Sequence, residues 1–279
     1  MTEFVLVSGG HTGGWVWREV AAGLRDSGAG AHPATLTGLG DRRHLAGPGT
    51  DVDTHVEDLV QLIDHVDEPE VVLVGHCYGI YPVLGAAGRR PERTARIVFV
   101  DAPLPRDGLS VLDQVREQMP EGPVRDRMLS QPARAEDGWR VPAPTPEEWR
   151  QWGNLAGVSE EALVRLARLA APQPVGTLTR PVRFTDVVDA LPMTGVFCTV
   201  GGTMDIAGVE ALVATGNPLF RQLAEPRWGF FELATGHWPM LSAPDELVTV
   251  LLRAAAGEGH RVARPEGVRD GAPDGAPTV

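Results

Sequence analysis

The run Val71-Val72-Leu73-Val74-Gly75-His76-Cys77-Tyr78-Gly79 constrains this chain more than any other stretch. The unbroken apolar segment Val71–Val74, mostly β-branched, is the kind of strand that a parallel sheet buries on both faces. It runs into a G-x-C-x-G turn, Gly75, Cys77 and Gly79, and Tyr78–Gly88 continues as a helix. A strand that bends straight into a helix forces strained angles on the residue at the bend, and the flanking glycines keep Cβ atoms out of the way. The side chain at the bend is then presented at the C-terminal edge of the sheet. It also sits at a helix N-terminus, where the dipole favours a thiolate. So short a motif also occurs by chance in chains that have no such site. Its place after a buried strand and before a helix marks Cys77 as a nucleophile standing where serine is usual.

The rest of the chain repeats the rhythm. Phe4–Val7 reads as a strand ending in the turn Ser8-Gly9-Gly10, and Trp15–Arg25 has helical spacing. His32–Leu36 is a second strand, Gly38–Gly49 a loop, and Asp53–Val66 a helix capped by Asp53 with Val56, Leu59, Val60 and Ile63 on one face. Ala95–Val100 is another buried strand. Strands alternating with helices imply a parallel sheet joined by right-handed crossovers. From about Pro105 to Pro181 the rhythm stops, and Pro-rich turns surround a helix at Ser159–Leu169. It resumes with strands at Gly195–Val200 and Gly229–Leu233 and helices at Val209–Leu223 and Pro244–Ala256. The expected organisation is an α/β core over residues 1–104 and 182–256, a helical lid over 105–181, and a disordered, Gly-, Pro- and charge-rich tail over 257–279.

Composition narrows the function. The net charge is −12 and every basic residue is arginine, which argues against nucleic-acid binding. No apolar run reaches the length of a membrane span, and MTEFVLVSGG lacks the basic region and cleavage site of a signal peptide, so a cytoplasmic location without a membrane is expected. Of the two cysteines, Cys198 lies in the apolar run Val196–Val200 and reads as a buried strand residue, and a cytosolic chain of this size needs no disulfide. No metal-ligand spacing and no dinucleotide or phosphate loop is present, so neither metal nor cofactor is expected.

A nucleophile needs a base and an acid. In Glu232-Leu233-Ala234-Thr235-Gly236-His237-Trp238-Pro239-Met240 a strand ends in a Gly-His turn, which places His237 as the general base. His76, next to the nucleophile, should point away from it. Two acids qualify as the third member. Asp101 follows its strand immediately and is preferred. Asp205, beyond Gly201-Gly202-Thr203-Met204, stays as the alternative. The backbone N–H groups of Tyr78 and Gly10 are the candidate oxyanion donors. His11, Trp149, Trp152 and Trp238 are candidates for the substrate pocket, although packing between lid and core accounts equally well for the tryptophans.

Taken together, Phe4–Trp17, Thr37–Leu45, the Cys77 turn, Val100-Asp101-Ala102-Pro103 and Ala234-Thr235-Gly236-His237 resemble the α/β-hydrolases related to plant methylesterases and hydroxynitrile lyases. The likeness spans about Phe4 to Leu252. It implies an α/β-hydrolase fold, a mainly parallel sheet flanked by helices with a helical lid. The chain departs from that pattern at Ser8, where a histidine is usual, at Ile80, where a second glycine is common, and at Cys77. A narrower group, the Dieckmann cyclases that form tetramic acids or pyridones, is similar in core, lid and Cys-His-Asp triad. That resemblance implies transfer of a β-ketoacyl-aminoacyl chain from an acyl or peptidyl carrier protein to Cys77, followed by ring closure. The alternative is a thioesterase or esterase that hydrolyses a small ester, lactone or thioester with the same triad.

Overall fold

The structure is a computed structural model that describes residues 1–152 and 154–264, with the side chain of Trp152 outside the description. The runs read as buried strands form β1 (Glu3–Val7), β2 (Gly30–Ala34), β3 (Val71–His76) and β4 (Thr94–Val100). After them come the two-residue strands β5 (Arg140–Val141) and β6 (Gln173–Pro174), then β7 (Met193–Cys198) and β8 (Trp228–Leu233). Six strands make one sheet in the order β2-β1-β3-β4-β7-β8, every neighbouring pair parallel. β5 and β6 form a separate antiparallel pair. The second strand therefore begins and ends two residues earlier than the sequence suggests. β1 pairs from Glu3 opposite Gly30 to Val7 opposite Ala34 and has nothing left to offer Thr35 or Leu36. Pro33, which lacks an N–H, is tolerated because β2 is an edge.

The first half supplies α1 (Arg18–Asp26), α2 (Val52–Asp64) and α3 (Ile80–Arg89). A tighter 3₁₀ turn at Gly14–Trp17 opens the first of these. The cap of α2 is Asp51 rather than Asp53: its carboxylate accepts the Thr54 N–H in a capping box closed by the Thr54 hydroxyl. Between β4 and β7 lie α4 (Val111–Gln118), α5 (Pro123–Ser130), α6 (Pro146–Trp152), α7 (Glu160–Leu169) and α8 (Gly176–Thr179). The expected helix over 209–223 is broken into α9 (Ile206–Ala214) and α10 (Pro218–Arg221). Gly216 takes a left-handed φ of 71° and Pro218 cannot continue a helix. α11 (Pro239–Ser242) and α12 (Pro244–Ala255) close the chain's regular structure.

Strand alternation divides the core. Val5, Val7, Leu73, Ile97 and Phe99 pack with α2, α3 and α9 on one face. Phe4, Leu6, Val72, Val74, Val98 and Val100 pack with α1 and α12 on the other. Each such buried Leu, Ile or Phe is worth about 1.5–3 kcal/mol. The chain runs from β1 outward to β2 and then back to β3 on the opposite side of β1, so the crevice of the sheet opens at the C-terminal ends of β1 and β3. The helical segment between β4 and β7 is tied over that crevice. The Ala171 N–H donates to the His11 carbonyl at 2.8 Å, and the His237 N–H to the Asn154 carbonyl at 2.7 Å.

The segment read as a disordered tail departs from that reading at its start. Residues 257–264 return along β8, with the amides and carbonyls of Phe230 and His260 exchanging two 2.9 Å hydrogen bonds. The remainder, 265–279, lies outside the described residues. Among the described residues no helix is long and apolar enough to cross a membrane, and no group of His, Cys, Asp and Glu could hold a metal ion.

Candidate active site

Cys77 sits at the bend between β3 and α3 with φ of 51°, a left-handed angle rare for any residue but glycine. The bend depends on its neighbours being bare. A Cβ on Gly75 would lie 2.7 Å from the Ile80 Cα, and one on Gly79 2.7 Å from the carbonyl oxygens of Val7 and Ser8. The same closeness brings the loop after β1 against the bend: a Cβ on Gly9 would stand 3.1 Å from that of Cys77. Of the two residues expected to supply oxyanion donors, Tyr78 follows the half-buried Cys77 directly, and Gly10 follows Gly9 in the loop, where an added Cβ would meet the Gln173 side chain at 3.5 Å.

His237, in the turn after β8, reaches Asp101 at the end of β4 with 2.5 Å between Nδ1 and Oδ2. The other oxygen of Asp101 accepts the Cys198 N–H at 3.2 Å. Asp101 also has positive φ, 41°, as does His11 at 64°. Among the described non-glycine residues only Asp137, in a turn between α5 and β5, shares this conformation, so backbone strain is concentrated around Cys77. Burial favours the neutral form of His237, but its hydrogen bonds to Asp101 and Cys77, and their charges, outweigh it and raise the imidazole to about 10. Burial of Asp101 is likewise overcome, chiefly by its hydrogen bond to His237, and its carboxyl titrates below its ordinary value. Asp205 is elsewhere in role: it caps α9, accepting the Gly208 N–H at 2.7 Å. Cys198 is buried in β7, and burial pushes its thiol well above the usual range.

The residues assigned to a pocket line up as an aromatic chain. His11 meets Trp149 edge-on at 6.3 Å, Trp149 meets Trp238 at 5.4 Å, and Trp238 meets His237 at 5.8 Å. Trp149 and Trp238 are each 3% exposed, so they pack the helical segment between β4 and β7 against the core. His11 is also buried, with Nδ1 3.0 Å from the Ala171 carbonyl, and burial lowers it to about 4. The side chain of Trp152 is outside the description. A cavity of about 560 Å³ along α1 and β2, lined by Trp15, Arg18, Arg25 and Arg43, includes none of these residues.

Two residues near the site, Gln173 and His55, were given no part in it by the sequence, and a third, His76, was expected only to point away. Gln173, fully buried in β6, accepts the His11 N–H at 2.8 Å and so fixes the loop that carries Gly10. His55 binds the phenol of Tyr78 at 2.8 Å through Nδ1, with Nε2 on the Thr37 carbonyl. His76 does not simply point away: it lies beneath His237, with Nε2 2.7 Å from the His237 carbonyl. Nothing in composition marks Gln173 or His55. His76 was legible by alternation, since Val72 and Val74 place it on the face where Trp17 and Trp238 lie.

Comparison with known proteins agrees with this architecture. The family model described as alpha/beta hydrolase family matches residues 4–250. The chain is 29% identical over 260 residues to the carbendazim hydrolyzing esterase of Nocardioides sp. strain SG-4G, covering 90% of this chain and 98% of that one. It is 31% identical over 118 residues to putative methylesterase 14 of Arabidopsis thaliana, covering 42% of this chain and 34% of that one. Among solved structures, a pyrethroid hydrolase from Sphingobium faniae JZ-2 superposes with a TM-score of 0.70 at 19% identity, over 91% of this chain and 97% of that one. Methylketone synthase I of tomato, in complex with 2-tridecanone, gives 0.68 at 19% identity, over 91% and 98%.

Proposed function

Because the chain belongs to the alpha/beta hydrolase family, we propose that it is a cysteine-dependent hydrolase of a small carboxylic ester, lactone or thioester, working through an acyl-enzyme on Cys77. The observation that carries this reading is the strained bend at Cys77 joined to His237, whose other ring nitrogen is held by Asp101 at 2.5 Å. His237 takes the thiol proton, and the sulfur attacks the acyl carbonyl. The N–H groups of Gly10 and Tyr78 stabilise the oxyanion. As the tetrahedral adduct collapses, His237 returns its proton to the departing alcohol or thiol, leaving an acyl thioester on Cys77. A water, deprotonated by His237, then releases the acid and restores the thiol. Asp101 orients the imidazole and balances its charge. The esterases among the relatives support an oxygen ester as acyl donor, and the sulfur nucleophile widens the class to thioesters, whose exchange is nearly isoenergetic.

A second reading is favoured by the sulfur together with the tryptophans packed beside His237. A cysteinyl thioester accepts carbon nucleophiles better than an oxygen ester, and a site that excludes water suits ring closure. In that reading a β-ketoacyl-aminoacyl chain arrives from a carrier protein, His237 removes the proton between its ketone and amide carbonyls, and the carbanion attacks the Cys77 thioester and expels the thiolate. One experiment separates them. The protein is incubated with aryl esters and with a β-ketoacyl-aminoacyl thioester, and both products and intact protein are weighed. Free acid and an acyl adduct on Cys77 are expected for the hydrolase. A product that has lost the thiol without gaining water assigns the cyclase. Cys77→Ala abolishes turnover and adduct, and Cys77→Ser keeps well under half the activity. A fully active Cys77→Ala removes both readings.

A further inference from the structure

We propose that His76 is a positioning residue for the general base, its Nε2–H holding the main-chain carbonyl of His237 while its ring backs the His237 ring. The proposal rests on His237 serving Cys77 and goes one residue deeper. His237 stands in a turn, and a turn residue needs its backbone fixed if its ring is to stay within reach of a thiol. Its N–H is taken by the Asn154 carbonyl at 2.7 Å and its carbonyl by His76 Nε2, also at 2.7 Å. Its ring is held at Nδ1 by Asp101. The two imidazole centroids are 4.7 Å apart, and Trp238 lies 4.9 Å from His76, so displacement of one ring must move the other.

The chemistry of His76 suits this task and no other at the site. Because a carbonyl only accepts, Nε2 carries the hydrogen and Nδ1 is a bare lone pair. Nδ1 is buried without a partner among the described residues, facing Gly9, where an added Cβ would lie 3.2 Å away. A phenylalanine would fill this space without a buried, unpartnered Nδ1 but would leave the His237 carbonyl without its donor, so plain packing does not account for a histidine here. Burial and then the charge of His237 lower His76 to about 3. The titratable groups around it are His237 and Asp101, and of the two imidazoles only His237 takes up a proton in the working range. A neutral donor can therefore fix the carbonyl without competing for Asp101 or repelling the imidazolium.

The test compares His76→Phe, which keeps a ring and loses the donor, with His76→Gln, which restores a donor. Both are made in the Cys77→Ser background for NMR and in the wild-type background for kinetics. In the first, without any substrate, the proton shared by His237 and Asp101 and the titration of His237 are followed. His76→Phe is expected to broaden the shared-proton signal and lower the His237 titration by about one unit. In the second it is expected to cut kcat roughly ten- to a hundredfold with little change in KM, and to move the basic limb of the pH–rate profile. His76→Gln recovers most of each. If His76→Phe does not fold, His76→Leu takes its place. An unchanged His237 titration in the donorless variant, or a Gln variant no better than Phe, overturns the proposal. The NMR arm needs no turnover, so it decides the role of His76 even if His237→Ala proves active and the catalytic reading itself fails.

Discussion

At the scale of single residues the site turns on which carboxylate holds the imidazole. The two acids do different things in the fold: Asp101 bonds to His237 at 2.5 Å, and Asp205 caps α9. Asp101→Asn should keep the fold and cut kcat/KM by roughly 10³- to 10⁴-fold, since the amide presents the wrong partner to Nδ1. Asp205→Ala should leave kcat/KM alone and lower stability by about 1 kcal/mol, the usual worth of an N-cap. Steady-state kinetics beside calorimetry separates the two, and an inactive, stable Asp205→Ala would reassign the acid. The same bond makes stability depend on pH. His237 rises from 6.5 to about 10 on folding, so its contribution is complete below 6.5 and is lost as pH climbs through about 10. Asp101 is shifted down, so its contribution is present above its ordinary value of 3.8 and is lost as pH falls below it. Melting curves across pH should show both losses in the wild type, and Asp101→Asn should weaken both.

At the scale of elements, the bend between β3 and α3 and the turn after β8 bring nucleophile and base together, and backbone packing sets both. Gly79 lies directly beneath the end of β1, where a methyl group would meet two carbonyl oxygens at 2.7 Å. Gly79→Ala must therefore push β1 from β3 or unbend the elbow. A loss of about 2–3 kcal/mol and near-complete loss of activity are expected, measured by urea unfolding and turnover. A variant that keeps both would mean the bend is not under this constraint. This element was legible in the sequence because its signals agree: an apolar run, two glycines at fixed spacing and a helical continuation. His237 and Asp101 were legible for a related reason, as Asp101 follows a buried strand at once and His237 stands in the Gly-His turn that closes another. Gln173 and His55 were not, because their partners are the main chain of His11 and the phenol of Tyr78, many residues away, and no local pattern encodes such a meeting. The end of β2 was misjudged because a strand stops where its neighbour stops, and that neighbour is not adjacent in sequence.

At the scale of the whole molecule, the sheet has two edges, and each exposes unpaired backbone to other chains unless it is covered. β2 is short and carries Pro33. β8 is longer and apolar, and the chain itself returns to cover it. His260 pairs with Phe230 through two hydrogen bonds, the Arg261 guanidinium reaches carbonyls of β8 and of the turn before it, and Val262 is buried to 7% exposure. Composition hid this, because the contacts are made by backbone and by one arginine in a run rich in glycine and charge, where no hydrophobic pattern marks a strand. His260→Pro removes the N–H that the Phe230 carbonyl accepts and bars the extended pairing. It should lower stability by about 1–3 kcal/mol, the cost of stranding one polar group and freeing the segment that follows. The pairing is made at Phe230, near the start of β8, whereas His237 beyond the strand's end is held separately by the Asn154 carbonyl, His76 and Asp101, so kcat/KM of the folded fraction should be unchanged. Unpaired, β8 should also recruit other chains, so light scattering on warming should begin earlier than in the wild type. Wild-type melting and scattering in His260→Pro would show that the return along β8 contributes nothing to holding that edge closed.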